Sequence, residues 1–196
     1  MWYKVKRIYQ WTNLVRPVIE CDFTQSDCWF IYYWKTGSCN YGRNSNWLYS
    51  LTTGNIYSAA AWKIPSSIYQ IGNLNKIIFH LKATHSWCWW WISYQVDNKF
   101  CRTRINRLEK NIVNSNIINL SNNTPANTAY TYTIDLVNKE CYNSIEPWTK
   151  QVLTDSEVST IRWYWTNWNL NITSLLFNVS WVYSYIQKAN FYYEPN

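Results

Sequence analysis

Tyr130-Thr131-Tyr132-Thr133-Ile134-Asp135-Leu136-Val137-Asn138-Lys139-Glu140-Cys141-Tyr142 decides the fold of this chain. Tyr130, Tyr132, Ile134 and Leu136 alternate with Thr131, Thr133 and Asp135, the period-2 signature of a strand with one buried face. Val137-Asn138-Lys139 supplies a turn, and Glu140-Cys141-Tyr142 begins the return. The stretch therefore predicts a β-hairpin with an apolar and a polar face.

The same signal recurs on both sides. Ile77, Phe79, Leu81 and Ala83 alternate with Ile78, His80 and Lys82. Ile92, Tyr94 and Val96 alternate with Ser93, Gln95 and Asp97, and Asp97-Asn98 turns the chain into a strand over Lys99 to Ile105. Strands are also expected at Tyr3 to Gln10, Trp29 to Trp34, Trp47 to Leu51, Ile56 to Trp62, Leu175 to Tyr183 and Ile186 to Tyr193. Residues 35–46 read as turn-rich. The helical signal is Thr154-Asp155-Ser156-Glu157, a capping-box spacing followed by Val158 and Ile161, which predicts one short helical turn. About ten to twelve strands with regular turns give an all-β fold, a two-sheet antiparallel β-sandwich of the jelly-roll kind. Pro17 closes the first segment, dividing the chain into residues 1–18 and a sandwich over 19–196.

Composition bounds the function. The chain has 196 residues, 18 Lys+Arg against 11 Asp+Glu, and a formal charge of +7. The basic residues are scattered, with no arm dense enough for nucleic acid. Lys99, Arg102, Arg104, Arg107 and Lys110 form the densest group and read as a solvated strand face balanced by Asp97 and Glu109. No apolar run reaches the length of a membrane span. Met1 to Arg7 lacks the apolar run of an export signal, so the expectation is cytoplasmic synthesis with reduced cysteines. Cys21, Cys28, Cys39, Cys88, Cys101 and Cys141 have no metal-ligand spacing and read as small buried hydrophobes, with no metal or cofactor. Four Asn-x-Ser/Thr sequons (Asn119, Asn122, Asn171, Asn178) reflect the Asn-rich composition.

Tryptophan and glycine are out of proportion: 15 Trp against 4 Gly, where the usual ~7% would give about 14 Gly. Asn46-Trp47 and Asn167-Trp168 stand where a hairpin would want Asn-Gly, and Pro147-Trp148 where a type II turn would want Pro-Gly. Two readings follow. In one, the Trp are real and form an exposed aromatic platform. In the other, favoured by these turn positions, many are UGA codons that the source organism or virus reads as glycine.

Candidate chemistry is sparse. His80 lies on a polar strand face and His85 in a loop, neither within a nucleophile motif. Paired carboxylates would serve a glycosidase. Glu20 and Asp22 have i, i+2 spacing but fall in a linker-like region, and Asp155 and Glu157 belong to the helix cap. The expectation is no enzyme. If the Trp are real, Trp87, Trp89, Trp163 and Trp165, in two loops flanking strands, are the candidate ligand-binding residues, because indole faces pack on the C–H faces of sugars.

Arg7-Ile8-Tyr9-Gln10-Trp11-Thr12-Asn13-Leu14-Val15-Arg16-Pro17 resembles the segment at the head of many tailed-phage virion proteins, roughly Lys-Ile-Tyr-x-Gly-Thr-x-x-Val-Arg-Pro. It departs at Trp11, where that pattern has Gly. Asn127-Thr128-Ala129-Tyr130-Thr131-Tyr132-Thr133-Ile134-Asp135 and Tyr185-Ile186-Gln187-Lys188-Ala189-Asn190-Phe191 are similar to strands of concanavalin A-like or laminin-G-like jelly rolls. The resemblance implies binding of glycans or proteins at a loop edge. In the family calcium often assists, but no acidic cluster here suits it, and no ligand residues carry over. It further implies a non-enzymatic virion protein of the tail or tail fibre, whose partners are host-surface glycan or other virion subunits, with a homo-oligomer possible and neither nucleic acid nor membrane insertion expected. The alternative is a carbohydrate-binding module of a secreted or cell-surface bacterial protein.

Overall fold

Two antiparallel sheets stack into a β-sandwich, and one long strand near the C-terminus organises the larger of them. The computed structural model describes residues 18–22, 31–36, 39–52, 58–63, 72–85, 88–96, 99–104, 110–113, 126–167, 170–176 and 181–194. Its strands are β1 (Val18–Asp22), β2 (Ile31–Thr36), β3 (Cys39–Arg43), β4 (Leu48–Thr52), β5 (Ser58–Lys63), β6 (Asn73–Ala83) and β7 (Cys88–Val96). They continue as β8 (Lys99–Arg104), β9 (Lys110–Val113), β10 (Tyr130–Asp135), β11 (Glu140–Asn143), β12 (Gln151–Val152), β13 (Asn171–Leu176) and β14 (Val182–Glu194). One sheet runs β12-β11-β10-β6-β14-β4-β3 with β1 also on β14, and the other runs β2-β5-β13-β7-β8-β9. Successive strands change sheet at β1–β2, β2–β3, β4–β5, β5–β6, β6–β7, β9–β10, β12–β13 and β13–β14, the winding of a jelly roll.

Strand β14 has 13 residues and is shared three ways. It pairs with β6 along its length, with β4 over Val182–Ile186 and with β1 over Lys188–Tyr192. The alternation read from sequence fixes what each face does. Ile77, Phe79, Leu81 and Ala83 of β6, Tyr132 and Ile134 of β10, and Ile186, Ala189 and Phe191 of β14 are all buried in one core. Cys21, Cys39 and Cys141 lie in that core as expected of small hydrophobes. The residues between them face outward and form a second surface.

The β10–β11 hairpin closes as expected, with Asp135 opposite Glu140. Asp135 organises the turn: Oδ1 accepts the Val137 and Asn138 N–H groups at 3.1 and 2.9 Å, and Oδ2 accepts the Asn138 side-chain amide at 3.1 Å. Lys139 takes the positive φ, 56°, that such a turn needs. The β7–β8 hairpin is also present, Val96 opposite Lys99, while Asp97-Asn98 lie outside the described residues.

Four expectations are corrected. The helical turn is a 12-residue helix, α1 (Asp155–Thr166), opened by the full capping box: Thr154 Oγ1 accepts from Glu157 N, and the Glu157 carboxylate accepts from Thr154 N at 2.7 Å. Its length follows from Glu157, Val158, Ile161 and Trp165, which share one buried face at helical spacing. The turn-rich reading of 35–46 hid β3, whose hairpin to β4 turns on Asn44, with Oδ1 accepting the Asn46 and Trp47 N–H groups. The strand expected over Leu175 to Tyr183 is two strands, β13 ending at Leu176 and β14 starting at Val182, with Trp181 in a turn between. Glu20 and Asp22, read as linker, sit on β1 inside the sheet. The segment before Val18 lies outside the described residues.

Candidate functional site

The outward surface of the eight-stranded sheet gathers aromatic rings and polar side chains in one place. Tyr183 and Tyr185 alternate along β14 and point outward together, their rings 5.4 Å apart and 2° from parallel. Tyr49 on β4 is opposite Tyr185 in register, and its ring meets Tyr183 edge-on at 5.8 Å. Trp47, the residue before β4, lies 5.4 Å from Tyr185. Four rings thus form a continuous row across two strands.

Local structure holds the row in place. Tyr49 lies over Gly42 of β3, where an added Cβ would come within 2.8 Å of its hydroxyl oxygen. Gly42 is needed for that close approach. Tyr183 is anchored through its backbone: its N–H donates to Thr84 Oγ1 at 2.9 Å and its carbonyl accepts Thr84 N–H at 2.9 Å. Leu51, on the same side of β4, is buried although it does not belong to the sandwich core.

Beside the row lies a pocket of about 220 Å³, lined among others by Trp47, His80, Tyr130, Thr131, Ser144 and Gln187. A β-bulge makes room for it. The register slips between Ile186, opposite Leu81, and Lys188, opposite His80, so that both Gln187 and Lys188 leave the core face. Ser144 walls the other side, its Oγ accepting Thr131 N–H at 2.9 Å.

Charged groups flank the pocket. Lys188 Nζ is 2.9 Å from the Glu20 carboxylate and 4.0 Å from that of Asp22. The Glu20 hydrogen bond and the two carboxylate charges raise the Lys188 pKa against the opposing effect of burial. His80 has its pKa lowered, first by burial and then by the Lys188 charge, with Glu20 pulling the other way. Its imidazole is therefore neutral at neutral pH and offers one donor and one acceptor. On the far side, Lys76 pairs with the buried Asp135 at 2.7 Å.

The residues singled out from sequence fall elsewhere. Trp163 and Trp165 are on α1, not in a loop. Trp165 is 0% exposed, stacks on Phe191 with centroids 5.2 Å apart, and donates its indole N–H to the Gly72 carbonyl at 3.2 Å. It has no face to offer a ligand. Trp163 is exposed and packs against Tyr164. Trp89 is on β7, and Trp87 lies outside the described residues. Glu157 is committed to the capping box, and Asp155 pairs with Lys139 at the surface. Arg102 and Arg104 occupy alternate positions of β8, with Lys99 on the same strand and Lys110 on β9; Arg107 lies outside the described residues. Sequence reasoning missed the Tyr row because Tyr49, Tyr183 and Tyr185 were read as ordinary strand formers. The expected strands ended at Tyr183 and restarted at Ile186, whereas β14 runs unbroken from Val182 and carries Tyr183 and Tyr185 on one face. Among the described residues no group of three or more His, Cys, Asp or Glu is arranged to hold a metal ion, and no helix is long and apolar enough to cross a membrane.

No family model and no curated protein matches the chain. Solved structures with a similar overall fold do exist. A family 11 carbohydrate-binding module from Clostridium thermocellum, in complex with a β-1,3-1,4-mixed-linked tetrasaccharide, is 11% identical with a TM-score of 0.44, covering 90% of this chain and 97% of that one. A carbohydrate esterase from the Shiga toxin-encoding bacteriophage phi24B is 10% identical with a TM-score of 0.42, covering 84% and 90%. The CBM2 module of the evolved Dit of Lactobacillus casei BL23 phage J-1 is 7% identical with a TM-score of 0.42, covering 91% and 96%.

Proposed function

We propose that this chain is a non-enzymatic glycan-binding protein of a phage virion, and that the outward surface of its eight-stranded sheet holds the sugar. The observation that carries the reading is the four-ring row of Trp47, Tyr185, Tyr183 and Tyr49 beside a pocket with neutral His80, Thr131, Ser144 and Gln187. Flat rings suit the C–H faces of pyranoses, and short polar groups at the edge suit their hydroxyls. The carboxylates available for hydrolysis support a binding role instead: Glu20 and Asp22 share Lys188, and Glu157 closes a helix cap. Placement in a virion rests on the likeness of Arg7 to Pro17 to the head of tailed-phage virion proteins. Partner virion subunits are the other occupants of the same surface. A carbohydrate-binding module of a secreted protein would share the site but not that segment.

The test is a glycan array probed with the purified chain and with Tyr185→Ala. Binding by the parent that the variant loses supports the reading. A blank array leaves a scaffold role. Terminase, portal or tape-measure genes beside the coding sequence support the virion placement, and polysaccharide-use genes overturn it.

A further inference from the structure

The charges on the outward sheet surface are unevenly spent. Lys76 is neutralised by Asp135, and Lys188 faces both Glu20 and Asp22. His80 is kept neutral by burial and by the Lys188 charge. Lys82 is different. It lies two residues beyond His80 on the outward side of β6, opposite Tyr185 of the ring row, and pairs with no carboxylate among the described residues. Among the described residues, Lys82 is thus the ammonium beside the ring row that no carboxylate engages.

We infer that the site selects carboxylated sugars, with the sugar ring on the Tyr185–Trp47 end of the row and its carboxylate at Lys82. This rests on the glycan-binding reading and adds the class of glycan. A lone ammonium beside a ring stack gives a carboxylate a charge-assisted hydrogen bond that a neutral sugar does not make. The +7 charge of the whole chain adds a long-range attraction for polyanionic glycans.

Calorimetric titration of the full chain with matched probes tests this: 3′-sialyllactose against lactose, and a galacturonate hexamer against a glucose hexamer. The acidic member of each pair binds about tenfold tighter at low salt, the size of one charge-assisted hydrogen bond. Lys82→Gln removes that preference and leaves the neutral sugar's affinity unchanged, whereas Tyr185→Ala weakens both. Equal affinity within both pairs, or a preference that survives Lys82→Gln, overturns the inference while leaving glycan binding intact. If no probe binds the parent chain, this inference and the glycan-binding reading fall together.

Discussion

Tyr49 lies across Gly42, close enough that a Cβ at position 42 would meet the phenol oxygen at 2.8 Å and force the ring to move. The partners face each other across the β3–β4 ladder, so the edge strand sets the height of the ring row above the sheet. Gly42→Ala therefore displaces Tyr49 and with it the edge-on contact to Tyr183. We expect a several-fold loss of glycan affinity, with unfolding still cooperative and shifted by about 1 kcal/mol. Titration and urea denaturation of the variant check the two halves. An unchanged affinity would remove Tyr49 from the site.

Tyr185 stands at the centre of the row, touching Tyr183 and Trp47. Tyr185→Ala removes the central ring of the row and costs about five- to tenfold in affinity, as expected for loss of a ring worth ~1 kcal/mol in stacking. Tyr185→Phe keeps the ring and retains most of the binding. If the two variants bind equally poorly, the hydroxyl rather than the ring carries recognition.

Asp135 makes stability depend on acid. Burial pushes its pKa up, but the Asn138 backbone N–H, the Lys76 hydrogen bond and charge, and the Asn138 side-chain amide outweigh that and leave it lowered. A carboxyl more acidic in the folded chain stabilises the fold fully above its unfolded pKa of about 3.9, and the stabilisation fades as pH falls through the lower folded value. Asp135→Asn keeps the shape but loses the Lys76 pair, at a cost of about 1–3 kcal/mol at neutral pH. Its stability also falls less steeply below pH 4 than the parent's. Urea midpoints at several pH values measure both.

The alternation of β6, β10 and β14 was legible because one face of each strand is buried and the other is not, so polarity and geometry coincide. The helix was legible at its start, where Thr154 and Glu157 carry capping chemistry, and illegible at its end. There Trp163-Tyr164-Trp165 has weak helix propensity, and packing of Trp165 on Phe191 decides the conformation. The site was hidden for a different reason. It is assembled from β4, β6, β10 and β14, whose neighbours in the sheet are distant in sequence. The bulge at Gln187 that opens the pocket leaves no local signal.

The capping box predicts its own test. Thr154→Ala loses the Oγ1 bonds to the Glu157 N–H and to the Glu157 carboxylate, while the backbone N–H at 154 still donates to that carboxylate, at a cost of about 1 kcal/mol. Because α1 carries Trp165 into the core, the loss appears as a shift in global unfolding rather than fraying of one helix. Near-ultraviolet circular dichroism and far-ultraviolet signals then melt together. Separate transitions would show that α1 docks independently.

Trp165 and Trp181 divide the tryptophan excess between two explanations. Of the turn positions at which glycine was expected, Trp47 and Trp148 adopt no positive φ and Trp168 lies outside the described residues. Trp181 does, with φ of 61° and 69% exposure, in the turn entering β14. A left-handed backbone costs an L residue roughly 1–2 kcal/mol, which outweighs the flexibility glycine adds to the unfolded chain. Trp181→Gly should therefore stabilise by about 0.5–1 kcal/mol, while Trp165→Gly, emptying the space over Phe191, should cost at least about 3 kcal/mol. Recoding of UGA as glycine makes the matching prediction for the gene: UGA at codon 181 and UGG at codon 165, with glycine at 181 in the mass spectrum of the native protein. UGG at codon 181 would mean that the strained tryptophan is genuine and held there for its exposed ring.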